Sequence, residues 1–328
     1  MYDSAFLDHL QAGLAPLLPL WGLGAAAKAR LLTISENATF LADDPVSGRR
    51  LILRVHRPGY HRRDEIVSEL AWTRALIEAG VVETPRPVER ADGGGLIAEL
   101  QHGDEKREVV AFEFMSGREP SAAEGLVPWF ERLGAITARL HDHSRSWQRP
   151  EGFSRKVWDF EAMLGSRPLW GDWRAAIGLE PAEKAVLEKT AAALKLRLDA
   201  YGKGERFGLI HADLRLANLL VEGERLGVID FDDCGFSWLM YDFAAAISFI
   251  ETDPVVPELM AAWVAGYRAV APLSPEDEAM LPVFVMLRRM LLTAWLASHS
   301  ETPTAAELGH GYTAGTAALA EAFLTRQG

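Results

Sequence analysis

The chain has 328 residues and a mass of 36.1 kDa, about two domains' worth at roughly 100 to 200 residues per domain. Lys and Arg total 34 against 46 Asp and Glu, a formal charge of −12 with pI near 5.3. That balance argues against a protein that works by gripping nucleic-acid phosphates or anionic lipid, both of which require a basic face. A hydrophobic fraction of 49% with 24% charged residues is globular composition, not disorder.

A single cysteine, Cys234, cannot form an internal disulfide, and no Cys/His cluster has zinc-finger spacing. A reducing cytoplasm is the expected location. Residues 11–27 carry no charge, but the stretch is shorter than a membrane span and is broken by Pro16 and Pro19. Asp3 and Asp8 stand where a signal peptide would be positive, so neither signal nor anchor is expected.

Taken in chain order, a short helix is followed by strand-like segments at 29–34, 38–42 and 50–56, the last two split by a polar turn at 43–48. A helix is expected over 64–79, with Ile66, Leu70, Thr73, Leu76 and Ile77 on one stripe and Pro85 and Pro87 beyond its end. Strands at 96–101 and 108–114 follow, joined by a charged loop at 103–107. Past Met115, helices dominate: 124–141, 181–198, 256–270 and 275–298, with Trp263, Tyr267 and Trp295 expected in the core. One island, 207–231, reads strand, loop, then strand-turn-strand. The fold class is α+β, with a sheet-rich N-lobe at 1–115 and a larger, mostly helical C-lobe at 116–328.

The island holds the chemistry. Its hairpin is expected to bring Asp213, Asn218 and Asp230 together, and two carboxylates with an amide oxygen are hard donors suited to Mg²⁺. Phosphoryl transfer needs such a set, one carboxylate to take the hydroxyl proton and the other donors to hold the metal. Asp230, read as lying inside the apolar strand 227–231, would be costly to bury without a partner or a metal.

His211-x-Asp213-x-x-x-x-Asn218 followed by Ile229-Asp230-Phe231 resembles the aminoglycoside phosphotransferase and choline kinase superfamily, relatives of the protein kinases. Further motifs fall in the order of that family. Ser35-Glu36-Asn37 is similar to its nucleotide loop, and 112–117, with Glu113 and Met115, to its adenine-binding hinge. Leu140-His141 resembles the end of the first long C-lobe helix, and Tyr241-Asp242 the opening of the helix after the metal aspartate. The resemblance implies a bilobal protein-kinase-like fold that uses ATP and Mg²⁺. Asp213 would be the base, and Asn218 and Asp230 the metal ligands. His211 and Asp242 would support the loop, and Glu69 would pair with the basic residue of the third strand. That residue is Arg54, where many relatives carry Lys; a guanidinium can fork onto α- and β-phosphates. Arg215, two residues after the base, is placed to steady the transferred phosphoryl group.

Asp232 and Asp233 are read either as a solvated turn or as part of the acceptor mouth, and the direction of Arg288 and Arg289 is left open. An acidic cluster of Asp213, Asp230, Asp232 and Asp233 favours an acceptor carrying an amine, such as an amino alcohol, an amino acid like homoserine, or an aminoglycoside. The acceptor is thus expected to be a small molecule, with no nucleic-acid or membrane partner. No long activation segment separates Asp230 from Asp242, which disfavours the nearest alternative, a bacterial stress-response-type protein kinase. A haloacid-dehalogenase-like phosphatase, suggested by Asp230-x-Asp232, and an inactive ATP-binding scaffold are more remote. Oligomeric state is open.

Overall fold

The computed structural model describes residues 4–34, 37–103, 105–300 and 302–327. The chain divides into two compact units, the first comprising Met1–Ala79, Thr84–Ser116 and Arg149–Ser154, the second Gly80–Glu83, Gly117–Gln148 and Arg155–Gly328.

In the first unit, helix α1 (Ser4–Leu14) precedes strands β1 (Lys28–Ile34), β2 (Ala38–Asp43) and β3 (Arg50–Val55), helix α2 (Arg63–Glu78), and strands β4 (Ile97–His102) and β5 (Glu105–Glu113). The strands form an antiparallel sheet in the order β1-β2-β3-β5-β4. Alternation along β3 sends Leu51, Leu53 and Val55 to one face, where Leu10, Leu14, Leu18 and Trp21 of the N-terminal segment cover them. Ile66 and Leu70 of α2 pack on the other face, against Ile97 and Val110. The uncharged stretch after α1 is therefore the sheet's second cover, a short helical turn at Ala15–Trp21 that tolerates both prolines. The charged loop expected at 103–107 is instead largely strand. Glu105, Lys106 and Arg107 continue β5 in register with His102, Gln101 and Leu100, and their charge is tolerated because cross-strand and near neighbours pair it, as Lys106 does with Glu99.

The second unit contains α3 (Val127–Ser146), α4 (Phe160–Met163), α5 (Pro181–Tyr201), β6 (Phe207–Ile210), β7 (Leu219–Glu222), β8 (Arg225–Val228), β9 (Gly235–Trp238), α6 (Tyr241–Ala246), α7 (Val256–Arg268), α8 (Pro275–Ser298) and α9 (Pro303–Gln327). Strand β9, which pairs with β6, and helix α9, interrupted at Gly309, were absent from the sequence reading. Helices α3 and α7 cross closely: a Cβ on Gly266 would lie 1.8 Å from the Glu131 carbonyl oxygen, so glycine is required there. By length and composition α8 could cross a membrane, yet 89% of its apolar window is buried within the protein, where it serves as a core helix. Trp263, Tyr267 and Trp295 are all buried.

The start of α8 is set by a capping box. The Ser274 hydroxyl accepts the Asp277 N–H at 3.1 Å, and Asp277 Oδ2 accepts the Ser274 hydroxyl and N–H. Tyr201 of α5 donates to Asp277 Oδ1 at 2.5 Å. Burial alone would raise the Asp277 carboxyl, but the hydrogen bonds from Tyr201 and Ser274 outweigh it and hold it below the usual aspartate range. A folded-state value below the unfolded one means that this stabilisation is present above about pH 4 and is lost as pH falls through the folded value. Asp277→Ala should therefore cost about 2 kcal/mol near neutral pH and progressively less on acidification. Urea unfolding across a pH series checks this, and a deficit that does not change with pH would contradict it.

Candidate active site

The 211–218 loop of the second unit is built around one buried carboxylate. Asp242, at the start of α6, accepts the Ala212 N–H at 2.7 Å through Oδ1 and the His211 N–H at 3.3 Å through Oδ2. Its Oδ2 also meets His141 Nε2 at 3.0 Å, while His141 Nδ1 meets the Tyr267 hydroxyl at 3.0 Å. All four of these side chains are within 1% of full burial. The Asp242 grip supports a backbone that an alanine rarely adopts: Ala212 has φ +67°.

His211 then joins the loop to the segment that follows β8. Its Nδ1 accepts the Asp213 N–H at 3.2 Å, so Nε2 carries the proton and donates to the Ile229 carbonyl at 3.1 Å. The Ile229 N–H in turn donates to the Asn218 carbonyl at 2.9 Å. Both main-chain groups of the residue preceding Asp230 are thus fastened to the 211–218 loop. The sequence expectation that Asp230 sits inside a buried strand is corrected: β8 ends at Val228, and Asp230 is exposed with φ +62°. Its carboxylate is presented to solvent, so no desolvation cost has to be met. The preceding β7–β8 hairpin is antiparallel.

Asp213 is crowded by donors. Oδ1 accepts Arg288 Nη2 at 2.5 Å; Oδ2 accepts Asn218 Nδ2 at 2.8 Å and Arg215 Nε at 3.2 Å. Burial would raise this carboxyl, but the Arg215 and Arg288 guanidiniums more than offset it and hold it below the ordinary aspartate range. Arg288, whose direction the sequence left open, is 2% exposed and also donates to Ser248, the Tyr241 hydroxyl and the Ala212 carbonyl. Burial would lower its pKa, but Tyr241, Asp213 and Asp233 raise it, so it stays charged. Arg289 points elsewhere, to Glu251 at 2.7 Å and to Tyr312 and Thr316 of α9. His141 and Tyr267 were not among the expected site residues. The Leu140-His141 motif was visible, but Tyr267, 126 residues further along, carried no local signal.

Asp232 and Asp233 part company. Asp232 is 5% exposed, neither a solvated turn nor an open mouth, whereas Asp233 is half-buried and electrostatically close to Arg288 and Tyr241.

The donor set fits a metal that arrives with its ligand. Asn218 uses Nδ2 on Asp213, which leaves Oδ1 to coordinate, and Asp230 supplies an exposed carboxylate. Among the described residues no three His, Cys, Asp or Glu side chains form a cage. An amide and a carboxylate completed by phosphate oxygens is how Mg²⁺ is commonly held.

In the first unit, alternation along β3 turns Arg54 toward α2, where Nη2 meets Glu69 Oε2 at 2.5 Å. Both are buried, with Arg54 lying over the Phe112 ring at 5.1 Å, so Glu69 is not a surface charge. Asn37 Oδ1 accepts the Arg57 N–H; Ser35 lies outside the described residues. The Glu113 N–H is taken by the Arg86 carbonyl at 2.9 Å, so its carbonyl is what it can offer a ligand, and its side chain pairs with Arg49. Met115 follows just beyond the end of β5.

The sequence pattern of the phosphotransferase enzyme family matches residues 30–275, well over half of the chain. The chain belongs to that family. It is 45% identical to a microcompartment-associated aminopropanol kinase of known structure, covering 95% of this chain and 97% of that one with a TM-score of 0.87. It is 24% identical to amicoumacin kinase of Bacillus subtilis strain 168 over 286 residues, 82% of each chain. It is 29% identical to homoserine kinase of Chelativorans sp. strain BNC1 over 304 residues, 89% of this chain and 85% of that one. The family's protein-kinase-like architecture agrees with the α+β fold described above.

The Arg288–Asp213 contact is testable without turnover. Arg288→Met leaves a nearly buried carboxylate without the guanidinium that contacts it most closely and should cost about 3 kcal/mol in urea unfolding near neutral pH. Asp213→Asn in the same background should recover at least about 1 kcal/mol as a coupling energy. Simple additivity would show that the two residues do not act together.

Proposed function

We propose that this phosphotransferase is an ATP- and Mg²⁺-dependent kinase that phosphorylates the hydroxyl of a small, amine-bearing acceptor, with an amino alcohol of the aminopropanol type first in order. The observation that carries the reading is the Asp213–Asn218 loop, fixed on Asp242 and fastened to Ile229 just before Asp230, in a chain 45% identical to an aminopropanol kinase along almost its whole length. The similarity to homoserine kinases supports the same acceptor chemistry, an amine and a hydroxyl on one small molecule.

In this reading Asp213 stays ionised at neutral pH, orients the acceptor hydroxyl and takes its proton. Arg288 fixes the carboxylate from behind. Arg215, one-third exposed and beside Asp213, would steady the transferred phosphoryl group. Asn218 Oδ1 and Asp230 would hold Mg²⁺, which when bound neutralises charge on the β- and γ-phosphates. Arg54, oriented by Glu69, would meet the α- and β-phosphates, with the Glu113 carbonyl and Met115 main chain at adenine and Asn37 in the nucleotide loop. Asp233 would receive the acceptor's ammonium group. The buried, unbridged Cys234 and the need for ATP support a cytoplasmic enzyme.

Turnover should be read as ADP release with 1-amino-2-propanol, ethanolamine, homoserine, choline and the amine-free 1,2-propanediol. Amine-bearing acceptors should exceed the diol by at least about tenfold, the scale of losing one ionic contact; preference for the diol would refute the ammonium assignment. Asp213→Asn should lose about 10²- to 10⁴-fold in kcat with ATP affinity little changed, and an active variant would remove Asp213 from the role of base. Asp230→Ala should abolish the metal-dependent part of nucleotide binding by calorimetry; identical titrations with and without Mg²⁺ in wild type and variant would remove Asp230 from the metal site.

A further inference from the structure

The loop that follows Asp230 is held from behind by a segment that no motif marks. Residues Phe231–Asp233 make one turn of 3-10 helix, and Cys234 N–H closes it on the Phe231 carbonyl at 2.9 Å. That leaves the carbonyls of Asp232, Asp233 and Cys234 pointing out of the turn with no partner inside it. A buried helical end requires donors from elsewhere. Two side chains supply all three. Arg155 donates through Nη2 to the Asp232 carbonyl and through Nε to the Cys234 carbonyl at 2.6 Å, and Trp158 Nε1 donates to the Asp233 carbonyl at 2.9 Å. Arg155 is 5% and Trp158 2% exposed.

The backbone locks the same two segments together. Phe236 N–H donates to the Lys156 carbonyl, Trp158 N–H to the Phe236 carbonyl, and the Ser237 hydroxyl to the Trp158 carbonyl at 2.7 Å. The approach is so close that a Cβ on Gly235 would lie 2.6 Å from the Lys156 carbonyl oxygen. Arg155 also sets a fixed positive charge beneath a turn that bears Asp230, Asp232 and Asp233 within four residues, where like charges would otherwise push the turn apart. The Trp158 ring packs edge-on against Trp170 at 5.2 Å, and Trp170 lies 5.2 Å from the Arg288 guanidinium.

We infer that Arg155 and Trp158 are positioning residues for the metal and acceptor loop, fixing Asp230 and Asp233 by holding the carbonyls of the turn between and after them. Both act through the backbone carbonyls of that turn. The inference rests on the kinase reading for what the loop does, but the holding itself is independent of it. Partners that orient a metal ligand typically cost 10- to 100-fold in metal affinity when removed.

The test uses the full-length chain in wild-type, Arg155→Met, Arg155→Lys and Trp158→Phe forms. Arg155→Met should raise the Mg²⁺ concentration for half-maximal binding of the non-hydrolysable analogue AMP-PNP by at least about tenfold, with metal-free nucleotide affinity unchanged. Amide hydrogen exchange should accelerate at 231–235 and not in α3 or α7. Arg155→Lys, which can serve one carbonyl at a time, should recover part of both effects, and Trp158→Phe should give a smaller version of each. If Arg155→Met does not fold, the other two variants carry the test. Unchanged Mg²⁺ dependence with unchanged exchange at 231–235 would overturn the inference. So would a general rise in exchange across the second unit without a metal effect, the mark of a merely structural residue. Wild-type protein that binds no Mg·AMP-PNP would count against the kinase reading instead, and the exchange pattern would still decide whether Arg155 and Trp158 hold the loop.

Discussion

The site depends on one carboxylate that is completely buried. Asp242 takes two successive backbone N–H groups of the 211–218 loop and a histidine from α3, and these contacts compensate the cost of burying its charge. With its N–H fixed there, Ala212 accepts a left-handed backbone, and Asp213 is turned toward Arg288. Without Asp242 the strained residue would relax, and Asp213 would lose the frame that aims it. The Tyr267–His141–Asp242 relay ties this frame to α7 and α3, the two helices that approach most closely.

A second regularity is the use of arginine wherever a cation is buried. Among the described residues, Arg54, Arg107, Arg155, Arg288 and Arg289 lie in the interior, and no lysine does. Arg288 and Arg289 each spread several donors over acceptors on different elements, and Arg155 spans two carbonyls of one turn, which a lysine's compact ammonium could not do at once. Arg54 follows the same logic in the first unit, one Nη on Glu69 and its face toward Phe112. The acidic net charge of the chain and this internal cationic frame are compatible because they occupy different places. Carboxylates such as Asp230 and Asp233 reach solvent, and the arginines that orient their backbone do not.

Much of the candidate site was legible because its parts are local. His211, Asp213 and Asn218 lie within eight residues of one another, Asp230 follows on the next hairpin, and the oxygen donors define the chemistry by type alone. The Glu69–Arg54 pair was legible only through the family resemblance, since by its own surroundings in the sequence Glu69 could equally be a surface helix charge. What could not be read was long-range. Tyr267 on His141 and Arg155 on Asp232 join residues 126 and 77 positions apart, and neither partner carries a local mark of the other. The role of the uncharged 11–27 stretch as the cover of the sheet's second face was hidden for the same reason, since prolines in a short helical turn look like a break until the surface beneath is seen.

By itself, the sequence determined the α+β class, the order of most of the elements and the grouping of oxygen donors over 211–230, because periodicity, turn chemistry and oxygen-donor type are properties of short segments. Only the tertiary structure decided that Asp230 stands exposed past the end of its strand, that Asp213 is clamped by Arg288 of α8, and that Asp232 is buried where Asp233 is not. Direction and burial of a side chain depend on which distant elements close over it, and hydrogen-bond satisfaction across such distances is written in no local pattern.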